Sequence, residues 1–446
     1  MLMNRKDNEY LRLIDEVINP GYCSGCGVCA ATINSPYTIE FDTQGMYKPT
    51  LNHQKATKET AQVCPFFNGS NNEDQLGDAL FKATRDIYHH VSTGYYLRLL
   101  TGYVKDETMR LHSTSGGFVT WLSLKLLERD DVDGIVHVKA SNHDNKLFEY
   151  EISYSKEEVT QGATSKYYPV EMSQVINQIR QSDKRFVFVG IPCFIKAIRL
   201  LIKEDASFKK HVAYTIGIVC GHLKSTWFTK AMTMELGLDP DQLQHFDYRI
   251  KVEGQPASEF AVKAHTKQTS AFAMASDLSV SDWGQGPFQL KACDYCDDVL
   301  AELADVTCGD AWLEKYESDH RGASIMIIRN PIIDQLLKTY QTELSTEVAT
   351  IEQIIQTQAG GFRHRHQGLA YRLFLDQKNH IPTPNKRIKA SDSHLSSQRK
   401  AIYTQRIKLR EASYIAYQKA KEADDFNVYL EIMKPIIAEY QKIYKK

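Results

Sequence analysis

Between about residue 95 and residue 330, apolar runs alternate with amphipathic stretches. Short apolar runs bounded by turn residues predict buried strands, whereas apolar residues repeating at a helical period predict helices. The predicted strands are 134–140, 185–192, 213–220, 246–252, 259–265 and 323–330. The predicted helices are 118–129, 170–181 and 193–204. Because strands alternate with helices, this part of the chain predicts an α/β domain with a partly parallel sheet.

The two ends of the chain have different patterns. Residues 1–20 predict a short helix, and residues 21–70 predict a loop-rich segment with extended pieces at 37–41 and 46–51. Residues 385–446 contain few turn residues and predict two or three helices. This last segment is locally basic, while the remainder of the chain is acidic. One interpretation is a solvated helical extension, because charged helical faces are usually exposed.

These patterns divide the chain into three predicted domains. A length of 446 residues is too great for one ordinary hydrophobic core. We predict a small cysteine-containing module over residues 1–75, an α/β domain over residues 76–345, and a basic, mainly helical region over residues 346–446.

Composition bears on whether the protein binds nucleic acid or a membrane and on its cellular location. Hydrophobic residues make up 42% of the chain and charged residues 24%, and the formal net charge is −1. That charge gives no global reason to bind nucleic acid or a membrane surface. There is no apolar run of the length that a membrane span needs, and the N-terminal stretch is too polar for a secretory signal. We therefore expect a cytoplasmic protein with no nucleic-acid partner and no membrane span.

Nine cysteines are present, and three of them fall within the stretch GYCSGCGVCA. Cys23, Cys26 and Cys29 are spaced as thiolate ligands of a cubane iron–sulfur cluster, and the intervening glycines permit the tight loop. The remote Cys64 is followed by proline, as a fourth ligand would be. We predict one 4Fe-4S cluster in a ferredoxin-like module. The alternative is zinc, which is usually held by two separated Cys-x-x-Cys pairs or by such a pair with histidines.

A second group of cysteines is spread over a hundred residues. Cys193 and Cys220 stand at the carboxyl ends of predicted strands, where ligands collect in α/β sheets, and Cys293 and Cys296 form a Cys-x-x-Cys loop. These four could converge on one metal centre. Taken singly, buried cysteines are more often part of a core. Cys308 is a fifth candidate.

Several stretches, taken together, resemble the coenzyme F420 hydrogenase/dehydrogenase beta-subunit family, and in particular its polysaccharide-biosynthesis-locus branch. The resemblance covers roughly residues 20–330 in the same order. The matching motifs are CSGCGVCA with a later Cys-Pro, HSTSGGFV (112–119), VGIPCFIKAIR (189–199), GIVCGH (217–222) and CDYCDDVLAELADVTCGDAW (293–312).

The resemblance implies an α/β protein with two 4Fe-4S clusters and a flavin, usually FAD. It implies that Cys193, Cys220, Cys293 and Cys296 ligate the second cluster, and that Cys308 is not a ligand. It also assigns flavin contacts to two short motifs. Their residues are Ser113, Ser115, Gly116, Gly117, Ser165 and Lys166.

Elementary chemistry agrees with an anion site at the first of these motifs. Two glycines allow close backbone approach, and the helix that follows offers unpaired N–H groups and the positive end of its dipole. The alternative is that Ser115 only caps that helix. Lys166 could likewise be merely solvated.

The basic stretch GGFRHRHQGLAYR (360–372) contains Arg363 and Arg365, which could hold a flavin phosphate or an anionic substrate, or could form a surface patch. For proton delivery, His112 and Asp310 are the candidate catalytic residues. An N-terminal cluster module and a basic C-terminal region distinguish the chain from hydrogenase subunits.

We therefore expect a reductase that receives electrons from ferredoxin or a similar carrier and passes them through two clusters and a flavin to a small-molecule substrate. A homo-oligomer is one expected assembly. The alternatives are an electron-relay subunit serving a partner enzyme, with or without coenzyme F420, and a zinc-stabilised binding module.

Overall fold

The computed structural model describes residues 12–52, 59–143 and 145–444. Its largest sheet has eight strands, in the spatial order β15-β5-β14-β13-β9-β8-β6-β7. These strands are β5 (Arg98–Val104), β6 (Gly134–Ala140), β7 (Phe148–Ser153), β8 (Phe186–Gly190), β9 (Val212–Ile218), β13 (Val306–Asp310), β14 (Ser324–Ile328) and β15 (Leu344–Val348).

The centre of this sheet is parallel and its margins are antiparallel. Strands β6, β8, β9 and β13 run parallel to one another, whereas β7, β14, β5 and β15 pair antiparallel with their neighbours. The expected α/β fold with a partly parallel sheet is therefore confirmed. Four strands of the sheet, β5, β7, β13 and β15, were not predicted from the sequence pattern.

Smaller sheets surround the large one. A hairpin near the N-terminus and a short two-stranded ribbon precede β5, and a three-stranded antiparallel sheet lies between β9 and β13 in the chain. Their strands are β1 (Tyr37–Phe41), β2 (Tyr47–Leu51), β3 (Tyr88–His90), β4 (Gly94–Tyr96), β10 (Leu243–Lys251), β11 (Phe260–Thr266) and β12 (Ser270–Met274).

The α-helices are short except at the C-terminus. In chain order they are α1 (Glu59–Gln62), α2 (Glu73–Phe81), α3 (Glu107–Leu111), α4 (Phe118–Glu128), α5 (Lys156–Gln161), α6 (Ser173–Arg180), α7 (Pro192–Glu204), α8 (Thr226–Glu235), α9 (Lys291–Asp294), α10 (Glu314–Glu317), α11 (Pro331–Thr339), α12 (Ile351–Thr357), α13 (Ala359–Phe362), α14 (Gly368–Lys378), α15 (Ser397–Ala423) and α16 (Asn427–Tyr444). A π-helical turn, Arg363–Gln367, joins α13 to α14. The predicted N-terminal helix lies partly outside the described residues, which contain the helical turn Ile14–Ile18.

Both faces of the central sheet are covered by helices. Strand β8 is buried along its whole length, and its side chains alternate between two cores. Phe186 and Phe188 pack with helix α7, whereas Val187 packs with Trp121 and Leu122 of helix α4. A strand buried on both faces is expected to be apolar throughout, which explains why its sequence pattern is a continuous hydrophobic run.

The C-terminal helices belong to a core and are not a solvated extension, so that interpretation is wrong. Helices α15 and α16 pack against α8 and the three-stranded sheet, and Tyr417 and Tyr429 are almost completely buried there. The apolar face of this pair is covered by the rest of the chain, while its basic residues account for the local charge. None of the described helices is long and apolar enough to cross a membrane.

Candidate functional site

The first cysteine set consists of Cys23, Cys26, Cys29 and Cys64. Its first three members lie in a tight loop between the N-terminal turn and strand β1, and Cys64 follows helix α1. Gly25 and Gly27 have φ angles of +74° and +81°, a conformation that residues with a side chain rarely adopt. At Gly25 an added Cβ would come within 2.9 Å of the carbonyl oxygen of Tyr47. The two glycines therefore let the loop fold so that Cys23, Cys26 and Cys29 can converge.

The thiols of the first set face one another. Burial raises the pKa of the Cys29 thiol well above its ordinary value, and the neighbouring Cys26, Cys23 and Cys64 raise it further, in that order. Burial also raises the pKa of Cys64, and Cys26 and Cys23 add to that effect. Cys26 is buried and the other three cysteines of the set are half-buried. Thiols grouped in this way favour a site that is filled by positive charge.

Backbone N–H groups are directed at these sulfurs. The amide of Gly25 donates to Cys23 Sγ at 3.4 Å. Hydrogen bonds from the backbone of Val28 act on Cys26, and those from Phe66 and Phe67 act on Cys64, in each case lowering the thiol pKa against the larger effect of burial. Such donors stabilise thiolates and tune the metal centre that the thiolates hold.

The second cysteine set converges from three separate segments. Cys193 begins helix α7 directly after strand β8, Cys220 follows strand β9, and Cys293 and Cys296 lie in the loop around helix α9. Burial raises the pKa of Cys193 well above its ordinary value, with further increases from Cys296, Cys220, Cys293 and then Cys26. Cys193 therefore lies near the other cysteines of its own set and also near the first set, as its packing in two shared core clusters shows.

Cys308 stands apart from both sets. Burial alone raises the pKa of its thiol to about 12, with no contribution from another cysteine. It packs in the core formed by helix α4 and the large sheet. Its position agrees with a structural role.

The thiols of the two sets are the donor groups of iron–sulfur clusters, and thiolates also bind zinc. Within residues 12–52, 59–143 and 145–444, no group of three or more His, Cys, Asp or Glu side chains is arranged to hold one metal ion. The arrangement of mutually facing, N–H-bonded thiols is the chemistry that an iron–sulfur cluster requires.

Cationic side chains from the C-terminal part of the chain surround the acidic Cys-x-x-Cys loop. Arg387 pairs with Asp297, and it also pairs with Glu302 at 2.8 Å. Asp294 lies between the two cysteines and contacts His364 and Arg410. Burial lowers the pKa of His364 well below its ordinary value, so the positive charge comes from Arg387 and Arg410. Both arginines lie beyond the predicted boundary at 345, so this loop depends on the C-terminal region for its charge balance.

A cavity of about 530 Å³ opens at the carboxyl ends of the parallel strands. Strand ends and the loops that follow them supply its wall, including Val189, Ile218, Cys220 and Cys308. Open α/β sheets bind ligands at this edge. Because Cys220 belongs to the second cysteine set, the cavity lies directly against that set.

Most of the sequence-predicted flavin contacts lie on the cavity wall. Ser113, Ser115, Gly117, Ser165 and Lys166 line it. The other predicted residues do not. Gly116 instead packs against strands β5 and β14, where its amide donates to Ser324 Oγ at 2.9 Å and an added Cβ would meet the carbonyl oxygen of Gly102 at 2.7 Å.

The two arginines predicted to hold a flavin phosphate are also away from the cavity wall. Arg363 is exposed, and Arg365 is buried against Cys296. The stretch 360–372 therefore contacts the loop of the second cysteine set and not the cavity.

Helix α4 presents an uncapped N-terminus at the cavity. Its first flanking residue, Gly117, has a φ angle of +90° and no side chain caps the helix. The hydroxyl of Ser115 donates to the carbonyl oxygen of Ala323 at 2.5 Å, so the interpretation of Ser115 as a helix cap is wrong. Phe118, Val119 and Thr120 line the cavity at the first turn. This end of the cavity can accept an anionic group.

The side chain of Lys166 folds back and donates hydrogen bonds to its own loop. Its amine donates to the carbonyl oxygens of Gly162 at 2.8 Å and Thr164 at 2.9 Å, and also contacts that of Ala163. Burial lowers the pKa of this amine to about 7. The side chain is not a solvated surface lysine, and it closes the loop Gly162–Lys166 against the cavity.

Three buried polar atoms on the cavity wall have no hydrogen-bond partner within the described chain. They are Thr114 Oγ1, His222 Nε2 and Arg249 Nε. Buried polar groups are nearly always hydrogen-bonded, so these atoms indicate a cavity suited to a polar ligand. Sequence reasoning did not single out His222, although it lies inside the motif GIVCGH that carries part of the family resemblance.

The two candidate catalytic residues are in different environments. Asp310 lines the cavity and is held by Arg249 at 2.8 Å. His112 is exposed at the end of helix α3, where Nδ1 lies 2.8 Å from the carbonyl oxygen of Thr108. His112 therefore does not reach the cavity wall, and His222 is the histidine that does.

If the cavity holds the predicted flavin, we expect Gly117→Ala to weaken its binding. A residue with a Cβ at φ +90° is strained by about 1–3 kcal/mol, and relief of that strain would shift the first turn of helix α4. A loss of about 1.4 kcal/mol corresponds to about tenfold in the dissociation constant for FAD, measurable by flavin fluorescence on reconstituted protein.

Gly254→Ala is the matched control. Gly254 has a φ of +81°, and an added Cβ would meet nothing within 4 Å. It lies outside the cavity wall, so the variant should carry similar backbone strain and bind FAD normally. If both variants lost FAD equally, the assignment of the Ser113–Gly117 loop would be contradicted.

The fold and the site define a mixed α/β protein with two thiol sets beside a ligand-sized cavity. Family models described as the N-terminal and C-terminal domains of the coenzyme F420 hydrogenase/dehydrogenase beta subunit match residues 99–177 and 183–354. Together they cover more than half of the chain, which belongs to this family. The family is one of oxidoreductase subunits.

Two relatives illustrate the similarity. The chain is 25% identical to the coenzyme F420 hydrogenase subunit beta of Methanococcus voltae over 241 residues, which is 51% of this chain and 79% of the relative. A chain of the F420-reducing NiFe hydrogenase complex from Methanosarcina barkeri is 14% identical, with a TM-score of 0.49, over 69% of this chain and 100% of that chain.

Proposed function

We propose that this chain is an iron–sulfur flavoprotein that passes electrons from ferredoxin or a similar carrier to a small-molecule substrate. In this proposal each cysteine set holds one 4Fe-4S cluster and the cavity holds FAD. The clusters would supply one-electron transfer, and the flavin would supply the exchange between one-electron and two-electron chemistry.

One observation carries the proposal. Cys193 packs against the core cluster that contains Cys26 and also against the cluster that contains Cys296, and cysteines of both sets act on its thiol. Cys220 of that second set lines the cavity. The first set, the second set and the cavity are thus consecutive neighbours, which supports an electron path without a gap between them.

The chain's own residues have distinct proposed tasks at the flavin. The N-terminus of helix α4 and the Ser113–Gly117 loop would bind the pyrophosphate, because unpaired N–H groups and the helix dipole favour anions. Lys166 would keep its loop closed over the ligand. His222 or Asp310 would hold the proton that accompanies reduction of the substrate, with Arg249 fixing the orientation of Asp310.

Cofactor analysis tests the proposal directly. Protein purified without oxygen should contain about eight iron atoms, a similar amount of acid-labile sulfide and one FAD per chain. Air exposure should bleach its visible absorbance as the clusters break down. A colourless protein that contains zinc and no iron would overturn the proposal.

The second candidate is an electron-relay subunit. The family description and the name of the Methanococcus voltae relative both refer to a subunit of a larger enzyme. A relay would oxidise reduced ferredoxin only in the presence of a partner enzyme, or would exchange electrons with coenzyme F420. Steady oxidation of ferredoxin by the purified chain with a small-molecule acceptor would favour the reductase instead.

A further inference from the structure

Arg365 is a buried cation directed at the second cysteine set. Only 2% of its surface is exposed. One terminal nitrogen lies 2.8 Å from Cys296 Sγ and 2.6 Å from the carbonyl oxygen of Asp298, and the other lies 2.7 Å from that of Gly221. Gly221 directly follows Cys220, so the guanidinium joins the two loops that carry Cys220 and Cys296.

No carboxylate forms an ion pair with Arg365 within 4.0 Å among the residues that the structure describes. The acidic neighbours Asp294, Asp297 and Glu302 pair with other cations. The buried carboxylate of Asp298 is near enough to act on Arg365, but it accepts hydrogen bonds from the backbone amides of Leu300 and Glu302. A buried guanidinium without an anionic partner is strongly destabilising. The sulfurs of the second set are the groups placed to supply the negative charge, once they are ionised by a bound metal.

We propose that Arg365 is a positioning residue that holds the Cys220 and Cys296 loops together and raises the reduction potential of the cluster bound between them. The inference rests on the proposed function, because it requires a cluster at the second set. A cluster gains negative charge on reduction, and a buried cation beside one of its sulfurs stabilises the reduced form more than the oxidised form. Arg365 lies beyond residue 354, where the match to the family models ends.

The test is a redox titration of the whole chain, purified without oxygen and followed by electron paramagnetic resonance. Arg365→Met removes the charge and keeps most of the apolar stem. We expect the one-electron equilibrium constant of one cluster to fall about tenfold, which corresponds to a decrease of about 59 mV in its midpoint potential. The potential of the other cluster should stay near the wild-type value.

Two further variants, Arg365→Lys and Arg363→Gln, serve as comparisons. The lysine keeps the charge but cannot span Cys296, Asp298 and Gly221 together. In this variant, the midpoint potential of the affected cluster should therefore lie between those of the wild type and Arg365→Met. Arg363 is an exposed neighbour in the same helical turn, and its variant should match the wild type in both potentials.

Iron content provides the second measurement. Loss of about half of the iron from Arg365→Met, with the signal of the other cluster intact, would also support the proposal. If Arg365→Met does not fold, Arg365→Lys decides the matter by the same two measurements. The proposal for Arg365 would be overturned if the variants kept full iron and wild-type potentials, or if the midpoint potentials of both clusters shifted equally. Wild-type protein without iron would instead reject the proposed function itself.

Discussion

Replacing Cys193 with serine should remove about half of the iron and stop reduction of the flavin by the electron donor. Cys193 lies near the three other thiols of the second set and also near Cys26, so it lies at the junction of the two sets. Loss of an outer-shell partner already costs about 10–100-fold in metal affinity or activity, and loss of a ligand should exceed that. Iron analysis and stopped-flow measurement of flavin reduction by reduced ferredoxin would check both expectations.

Cys308→Ser is the matched control for this prediction. Cys308 is buried and Cys193 is half-buried, and no other cysteine affects the thiol of Cys308. Both substitutions replace a thiol with a hydroxyl, and only one of them removes a proposed ligand. Full iron in Cys193→Ser, or equal iron loss in both variants, would contradict the assignment of the second set.

The grouping of cysteines could be predicted from sequence because ligand chemistry leaves short, local patterns. The triple at 23, 26 and 29 and the pair at 293 and 296 are spacings that a single loop can present. Placing Cys193 and Cys220 at the ends of parallel strands then followed from the apolar runs that precede them. The proximity of Cys193 to Cys26 could not be foreseen, because it joins two modules that no periodic pattern relates.

The role of residues 360–372 could not be decided from sequence for a similar reason. Sequence showed a cluster of arginines and histidines, and such a cluster suits a phosphate as well as it suits an acidic loop. The structure brings Arg365 and His364 to the loop around Cys293 and Cys296, about seventy residues earlier in the chain. Pairing over that distance depends on how helices α14 and α15 pack, which charge alone does not specify.

His112 illustrates a limit of motif reasoning. It adjoins the Ser-Gly-Gly motif, but helix α3 ends at this point and its ring bonds back to Thr108. The backbone turn that follows carries Ser113 to the cavity and leaves the histidine in solvent. Distance along the chain is therefore a poor guide to which titratable group reaches a ligand.

Replacing Tyr417 with alanine should destabilise the protein by about 3–5 kcal/mol, the usual cost of removing a large aromatic side chain from a core. Tyr417 of helix α15 is completely buried, and its ring packs against Trp227 of helix α8 at 5.2 Å and against Phe288 at 5.7 Å between centroids. The expected loss follows only if the C-terminal helices are part of the folded core. Urea unfolding monitored by tryptophan fluorescence would measure it.

Two further variants separate burial of the ring from other effects at this helix. The Tyr417 hydroxyl has no hydrogen-bond partner in the described chain, so Tyr417→Phe should be neutral or slightly stabilising, because it removes an unsatisfied polar group. Ile415, two residues away, is 58% exposed, and Ile415→Ala should change stability by less than about 0.5 kcal/mol. If Tyr417→Ala unfolded no more easily than Ile415→Ala, helix α15 could not be packed as the structure has it, and the cations that it and its neighbours bring to the second cysteine set would lose their support.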